Sequence, residues 1–181
     1  VLSEYFILFK PRDIVSGDFH WSAEINGYTI IAAADCTGHG VPGAFMSMLG
    51  ITFLDEIINK EGVYQPDQIL NKTRDGIIKA LKQHGLANQS KDGMDISLIS
   101  IDSKRKVVQW AGANNSLYVM DNEEFIEYKA DRMPVAYYPK MNDFTLHEFP
   151  IKKGMVLYLF SDGFADQFGG PEGSKFKYKP F

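Results

Sequence analysis

The stretch that most constrains the fold is residues 28–57. An apolar run, Tyr28-Thr29-Ile30-Ile31-Ala32-Ala33-Ala34, ends on Asp35 and gives way to Cys36-Thr37-Gly38-His39-Gly40. Pro42 then stands where a first helical turn accepts proline, and Phe45, Met48, Leu49, Thr52, Phe53 and Ile57 recur at helical spacing. The expectation is a strand that carries a carboxylate to its end, a glycine-rich loop and a mostly buried helix. Upstream, Asn26-Gly27 separates the strand-like residues Phe19–Ile25 from 28–34, and this dipeptide suits the positive φ of both central positions in a type I′ turn. A shorter aromatic and aliphatic run at 5–9 reads as one more strand.

A second helix is expected over 66–83, with Ile69, Leu70, Thr73, Ile77, Ala80 and Leu81 on one face, His84-Gly85 as its stop and a turn around Gly62 before it. Strand patterns return at 96–101, 107–111, 117–120 and 125–128, separated by turn groups such as Asp102-Ser103-Lys104 and Asp121-Asn122. Two more, at 144–149 and 155–160, lead into Ser161-Asp162-Gly163. Strands, then paired helices, then strands indicate an α+β antiparallel sandwich rather than a doubly wound parallel sheet. With 181 residues, 45% hydrophobic and 23% charged, the chain is expected to form one domain over 1–181. Its start at Val1 reads as a domain excised from a longer protein.

Nineteen basic and 23 acidic residues, a net charge of -4, form no basic stripe, so neither nucleic acid nor an anionic membrane surface is expected as a partner. The single cysteine, Cys36, cannot form an internal disulfide, which leaves the compartment open, with the reduced cytoplasm as the expectation. No apolar run is expected to reach the roughly 20 residues of a membrane span.

Three aspartates share one context. Asp18 in Ser16-Gly17-Asp18-Phe19, Asp35 in Ala34-Asp35-Cys36-Thr37-Gly38, and Asp162 in Phe160-Ser161-Asp162-Gly163 each stand at the edge of an apolar strand beside a small residue. Asp-Gly pairs also close ordinary turns. Three such carboxylates with open backbone around them suit a hard divalent cation with carboxylate, carbonyl and water ligands. His20, His39, His84 and His147 lack zinc-ligand spacing. Cys36 and His39, in a loop before a helix N-terminus, leave a thiol and its base as a minor alternative. Gly38, Gly40 and Gly43 match neither a P-loop nor a dinucleotide fingerprint, and no Gly-x-Ser-x-Gly elbow occurs.

The series Ser16-Gly17-Asp18-Phe19, Ala34-Asp35-Cys36-Thr37-Gly38-His39-Gly40-Val41-Pro42-Gly43-Ala44, Gly93-Met94-Asp95-Ile96, Ala111-Gly112-Ala113-Asn114-Asn115 and Phe160-Ser161-Asp162-Gly163 resembles, in order and over nearly the whole chain, the SpoIIE-like branch of the metal-dependent (PPM, type 2C-like) protein phosphatases. The run from Asp35 to Ala44 is its most specific part. The resemblance implies an α-β-β-α sandwich with two Mn2+ or Mg2+ ions at one sheet edge. Asp18, Asp35, the backbone carbonyl of Cys36 and Asp162 would hold the metals, and the three aspartates would form the catalytic centre. Asp95 falls in what the family uses as a core strand and is left out of the metal set. Asn114 and Asn115 would lie near the channel mouth, Asp166 would act through water or stand on a helix surface, and Arg12 would meet substrate phosphate.

The same resemblance implies hydrolysis of phosphoserine or phosphothreonine on a protein, commonly an anti-sigma-factor antagonist, by a domain lying C-terminal to a sensor. The family ordinarily ends with a further helix and a strand preceded by an acidic pair that binds the second metal. Beyond Asp166 this chain has only Glu172 as an acidic residue and closes on Lys-Phe-Lys-Tyr-Lys-Pro-Phe. A domain lacking that last helix and strand is therefore expected, with a phosphatase-like binding or regulatory module as the alternative function.

Overall fold

The computed structural model describes residues 4–11, 14–85, 91–163, 165–169, 171 and 173–175. β1 (Phe19–Ile25) and β2 (Tyr28–Cys36) form the expected hairpin, with Asn26 and Gly27 at φ 51° and 88°. α1 (Gly40–Asp55) is continued by a π-helical turn, Glu56–Lys60, and is followed by α2 (Pro66–Ala80). β3 (Met94–Asp102), β4 (Val107–Ala113), β5 (Leu117–Asp121), β6 (Glu124–Tyr128), β7 (His147–Pro150) and β8 (Val156–Tyr158) complete two antiparallel sheets, ordered β1-β2-β3-β4-β7 and β6-β5-β8. A small hairpin pairs β9 (Phe168–Gly169) with β10 (Ser174–Lys175).

Alternation along the strands sorts the core into two halves. Ile30, Ala32, Ala34, Cys36, Ile96 and Leu98 face the helices and pack with Leu54, Ile58, Ile69, Leu70 and Ile77. Ile99, Ile101, Val108 and Trp110 face the other way and pack with Leu117 and Val119 of the smaller sheet. The described helices thus cover one face of the five-stranded sheet, and the three-stranded sheet covers the other.

Several local expectations change. Residues 5–9 form no strand. Tyr5 and Phe6 are exposed, and Phe9 meets His20 edge-on at 5.6 Å. Aromatic and aliphatic composition does not hold a strand that has no neighbour to pair with. The second helix stops at Ala80, before Lys82 takes a left-handed φ of 51°.

α1 turns inward only part of the face its large residues suggest: Leu49, Phe53 and Ile57 pack on the core, and Phe45, Met48 and Thr52 do not. Phe45 and Met48 are 68% and 64% exposed, while Gly43, Met46, Ser47, Gly50 and Leu54 are buried. Small residues let the helix axis come close to the sheet: a Cβ at Gly50 would stand 3.1 Å from Met94 Sδ and 3.2 Å from the Phe19 ring. Because both faces are apolar, Gly40–Lys60, 21 residues of mean hydropathy 1.4, is long and apolar enough by length and composition to cross a membrane, against the expectation from sequence. Part of it is nevertheless core, with Leu54, Ile57 and Ile58 against the sheet.

Candidate metal centre

The site grows out of strand register. β1 pairs Phe19 with Ala34, so Asp18, one step further, continues the ladder beside Asp35. β3 pairs Asp95 directly with Asp35, and β4 pairs Ala113 with Ile96, which brings Asn114 beside Asp95. Asp35 shares parity with Ile31, and Asp95 with Ile99, both of which pack in the core between the sheets. The aspartates therefore face the inter-sheet side at the end of the large sheet. From the opposite layer, β8 runs on into Ser161 and Asp162, and Ser161 Oγ donates to Asp18 Oδ2 at 2.8 Å. The Asp166 amide donates to the Asp162 carbonyl at 2.9 Å, folding this segment into a turn.

Glycines let the backbone of the Asp35 loop pack on itself. A Cβ at Gly17 would lie 2.8 Å from Gly38 O and 2.9 Å from Cys36 O, and one at Gly43 would lie 2.6 Å from Gly38 O. The start of α1, the loop after β2 and the turn before β1 meet here without side chains between them. Thr37 ties the same loop to the start of β3: its amide and Oγ1 both donate to Gly93 O, at 2.9 and 3.1 Å.

Bringing carboxylates together changes their acidity. Burial first, then Asp18 and Asp162, push the Asp35 carboxyl up from 3.8 to about 8, and both neighbours lie within hydrogen-bonding reach of it. Burial also raises Asp95, with Asp162 adding to it and the Asn114 hydrogen bond opposing it. Cys36 is buried on the helix side, and burial, followed by Asp35, Asp18 and Asp95, pushes its thiol up to about 12. A thiol that keeps its proton at neutral pH is no nucleophile, so the thiol-and-base alternative is set aside.

The sequence model of the family described as Stage II sporulation protein E (SpoIIE) matches residues 25–179, most of the chain. The chain belongs to the SpoIIE family. Among solved structures, this SpoIIE-family domain is similar to the SiaA-PP2C domain of Pseudomonas aeruginosa, with 39% identity and a TM-score of 0.84 over 97% of this chain and 68% of that one. It also resembles the PP2C phosphatase domain and regulatory fragment of SpoIIE from Bacillus subtilis (18% identity, TM-score 0.69, 86% of this chain and 44% of that one). A third similarity is to RsbX in complex with magnesium (18% identity, TM-score 0.65, 87% and 71%). At those lower identities the likeness is one of fold. No curated protein matches the chain. The domain is of the PP2C serine/threonine phosphatase type, a metal-dependent class.

The residues of this SpoIIE-family domain suit such a metal by the chemistry of their donors. Hard oxygen groups converge from three chain segments, and Asp35 is driven to hold a proton where a divalent cation would take its place. Among the described residues no three His, Cys, Asp or Glu side chains already surround one point as a finished cage. The carboxylates instead rest against one another.

Asp18, Asp35 and Asp162 are thus brought together, and the Cys36 carbonyl stands beside Gly17 at the same place. Asp95, excluded on sequence grounds, belongs to the same row. Its parity with Asp35 is the signal that reveals it, and that parity needs the β2–β3 register. Asn114 touches the site through Asp95, whereas the Asp166 carboxylate pairs with Lys175 at 2.7 Å and stands on a turn, not a helix. Arg12, Glu172 and residues 176–181 lie outside the described residues.

Proposed function

We propose that this domain, a single unit over 1–181, hydrolyses phosphoserine or phosphothreonine on a protein, with Mn2+ or Mg2+ held by Asp18, Asp35, the Cys36 carbonyl and Asp162. The observation that supports this reading is the convergence of three segments: Asp18 continues the β1–β2 ladder beside Asp35, and Ser161, next to Asp162, reaches from the opposite sheet to donate to Asp18 Oδ2 at 2.8 Å. When bound, a pair of divalent cations supplies Lewis-acid polarisation of the phosphoryl group and a nucleophilic water at neutral pH. The chain's own work is to hold the donors still. Ser161 orients Asp18 by donating to Oδ2, the close glycine backbone borders the Cys36 carbonyl, and Asp35 would give up its proton to serve as a ligand. No side-chain nucleophile is required, in keeping with a thiol that stays protonated. A phosphorylated anti-sigma-factor antagonist as substrate, a sensor N-terminal to the domain in the parent protein and a cytoplasmic location, with neither nucleic acid nor membrane as partner, complete the proposal.

The test is hydrolysis of a phosphoserine peptide and of an aryl phosphate at saturating Mn2+, in the parent chain and in Asp18→Asn. Turnover that disappears with Asp18→Asn and with excess chelator is the expected result. Turnover that persists in chelator overturns the metal mechanism. Stoichiometric Mn2+ binding without turnover of either substrate would place the domain with phosphatase-like binding modules instead.

A further inference from the structure

A fourth carboxylate stands at the centre. Asp95 is the cross-strand partner of Asp35, is only half-buried and shares the inter-sheet face. Its Oδ1 accepts a hydrogen bond from Asn114 Nδ2 at 2.8 Å. Asn114 is itself held from two directions. Its φ of 56° is one that asparagine tolerates better than most residues, and its amide donates to Asp131 O at 2.9 Å. Asp131 is in turn anchored by its own amide to Gly112 O at 3.0 Å, and its carboxylate accepts from Thr145 N at 2.7 Å and Thr145 Oγ1 at 3.0 Å.

This arrangement is costly if it serves structure alone. Two carboxyl groups directly opposite each other in an antiparallel pair cannot both ionise without repulsion, and Asp35 and Asp95 are directly opposite. An asparagine or serine at 95 would hold the Asn114 turn without that repulsion. Hard divalent cations each take about six oxygens, so a pair of them is thinly served by three carboxylates and one carbonyl. Asn114 engages one oxygen of Asp95, which leaves Oδ2 to offer.

We propose that Asp95 is a working carboxylate of the cation centre, presenting its second oxygen to the cation shell, and that Asn114 is the residue that positions it. The inference rests on the reading of this centre as a Mn2+ or Mg2+ site, and it adds a donor that the family motifs do not assign. A residue of β3 then shares the load with the end of β2, the turn before β1 and the segment after β8.

Calorimetric titration of the metal-free protein with Mn2+ tests this, alongside melting in excess chelator. Asp95→Asn, which keeps an acceptor for Asn114 but removes the charge, should weaken Mn2+ binding about 10- to 100-fold or remove one binding equivalent. It should melt no lower than the parent chain in chelator, because an acidic neighbour of Asp35 is replaced by a neutral one. Asn114→Gly, which keeps the left-handed backbone and removes the donor, should weaken Mn2+ binding several-fold. Unchanged Mn2+ affinity and stoichiometry in Asp95→Asn, with a lowered melting temperature in chelator, would make Asp95 a structural residue and overturn the proposal. If Asp95→Asn loses its native circular dichroism, Asn114→Gly decides, and unchanged Mn2+ affinity there is equally fatal. A parent chain that binds neither Mn2+ nor Mg2+ fails at the earlier step, the metal reading itself.

Discussion

Asp35 has an acidity no isolated aspartate shows, because burial and two neighbouring carboxylates all disfavour its charged form. The sign of the consequence is definite. With a folded-state pKa near 8 against 3.8 unfolded, its contribution to stability is fully present below about pH 4 and is lost as pH rises through 8. The metal-free protein should therefore melt lower at pH 8 than at pH 5, and Asp35→Asn should flatten that slope; equal slopes in the two proteins, measured in chelator, would contradict the assignment. The same substitution should weaken Mn2+ binding by at least about tenfold in calorimetry, since even residues behind the ligands cost 10- to 100-fold. Cys36 contributes differently. Its thiol faces the helices and only its carbonyl adjoins the site, so Cys36→Ser should keep metal binding and turnover, and iodoacetamide should leave the native protein unlabelled. Loss of turnover in a folded, metal-loaded Cys36→Ser would restore the thiol alternative.

At the scale of elements, α1 shows why glycine and serine positions matter alongside the large residues around them. Its buried face is Gly43, Met46, Ser47, Gly50 and Leu54, and Ser47 Oγ donates to Ser16 O at 3.2 Å, tying the helix to the segment that carries Asp18. An alanine at Gly43 would put Cβ 2.6 Å from Gly38 O and 3.1 Å from Gly17 Cα, contacts with backbone that has nowhere to go. Gly43→Ala should cost about 1–3 kcal/mol, the range for overpacking, and Phe45→Ala about 0.5 kcal/mol or less, as for a surface site. Urea denaturation compares the two directly. A larger loss from Phe45→Ala than from Gly43→Ala would mean that the exposed stripe of α1, and not its small-residue face, is what the fold depends on.

For the molecule as a whole, the centre joins two layers. Asp18, Asp35 and Asp95 belong to the five-stranded sheet, and Ser161 and Asp162 arrive from the three-stranded one. A cation held by both layers stabilises their contact by mass action, about 2.7 kcal/mol at a free concentration a hundred times Kd. For a domain of this size each kcal/mol moves the midpoint by about 2–4 °C. Saturating Mn2+ should thus raise the melting temperature by about 5–10 °C at pH 7, and the rise should vanish in Asp162→Asn if that residue closes the site. A full shift in Asp162→Asn would show that the large sheet alone holds the metal.

Much of this was written locally in the sequence. Asn26-Gly27 specifies its hairpin because both residues accept positive φ, and the run from Asp35 to Ala44 announces a carboxylate at a strand end followed by a helix, since turn chemistry and helix starts depend on a few adjacent residues. The three separated aspartates, each at the edge of an apolar run, were legible for the same reason. What the sequence left open is whatever depends on partners distant along the chain. Residues 5–9 have strand composition and, among the described residues, no strand to join; α1 is apolar all round, and only its packing on the rest of the molecule leaves Phe45 and Met48 outside; Asp95 lies in a core strand, and only the β2–β3 register places it opposite Asp35. A shift of that register by one residue would turn Asp95 away from the other carboxylates, so its place at the site is decided by strand pairing, which no local pattern around Met94-Asp95-Ile96 encodes.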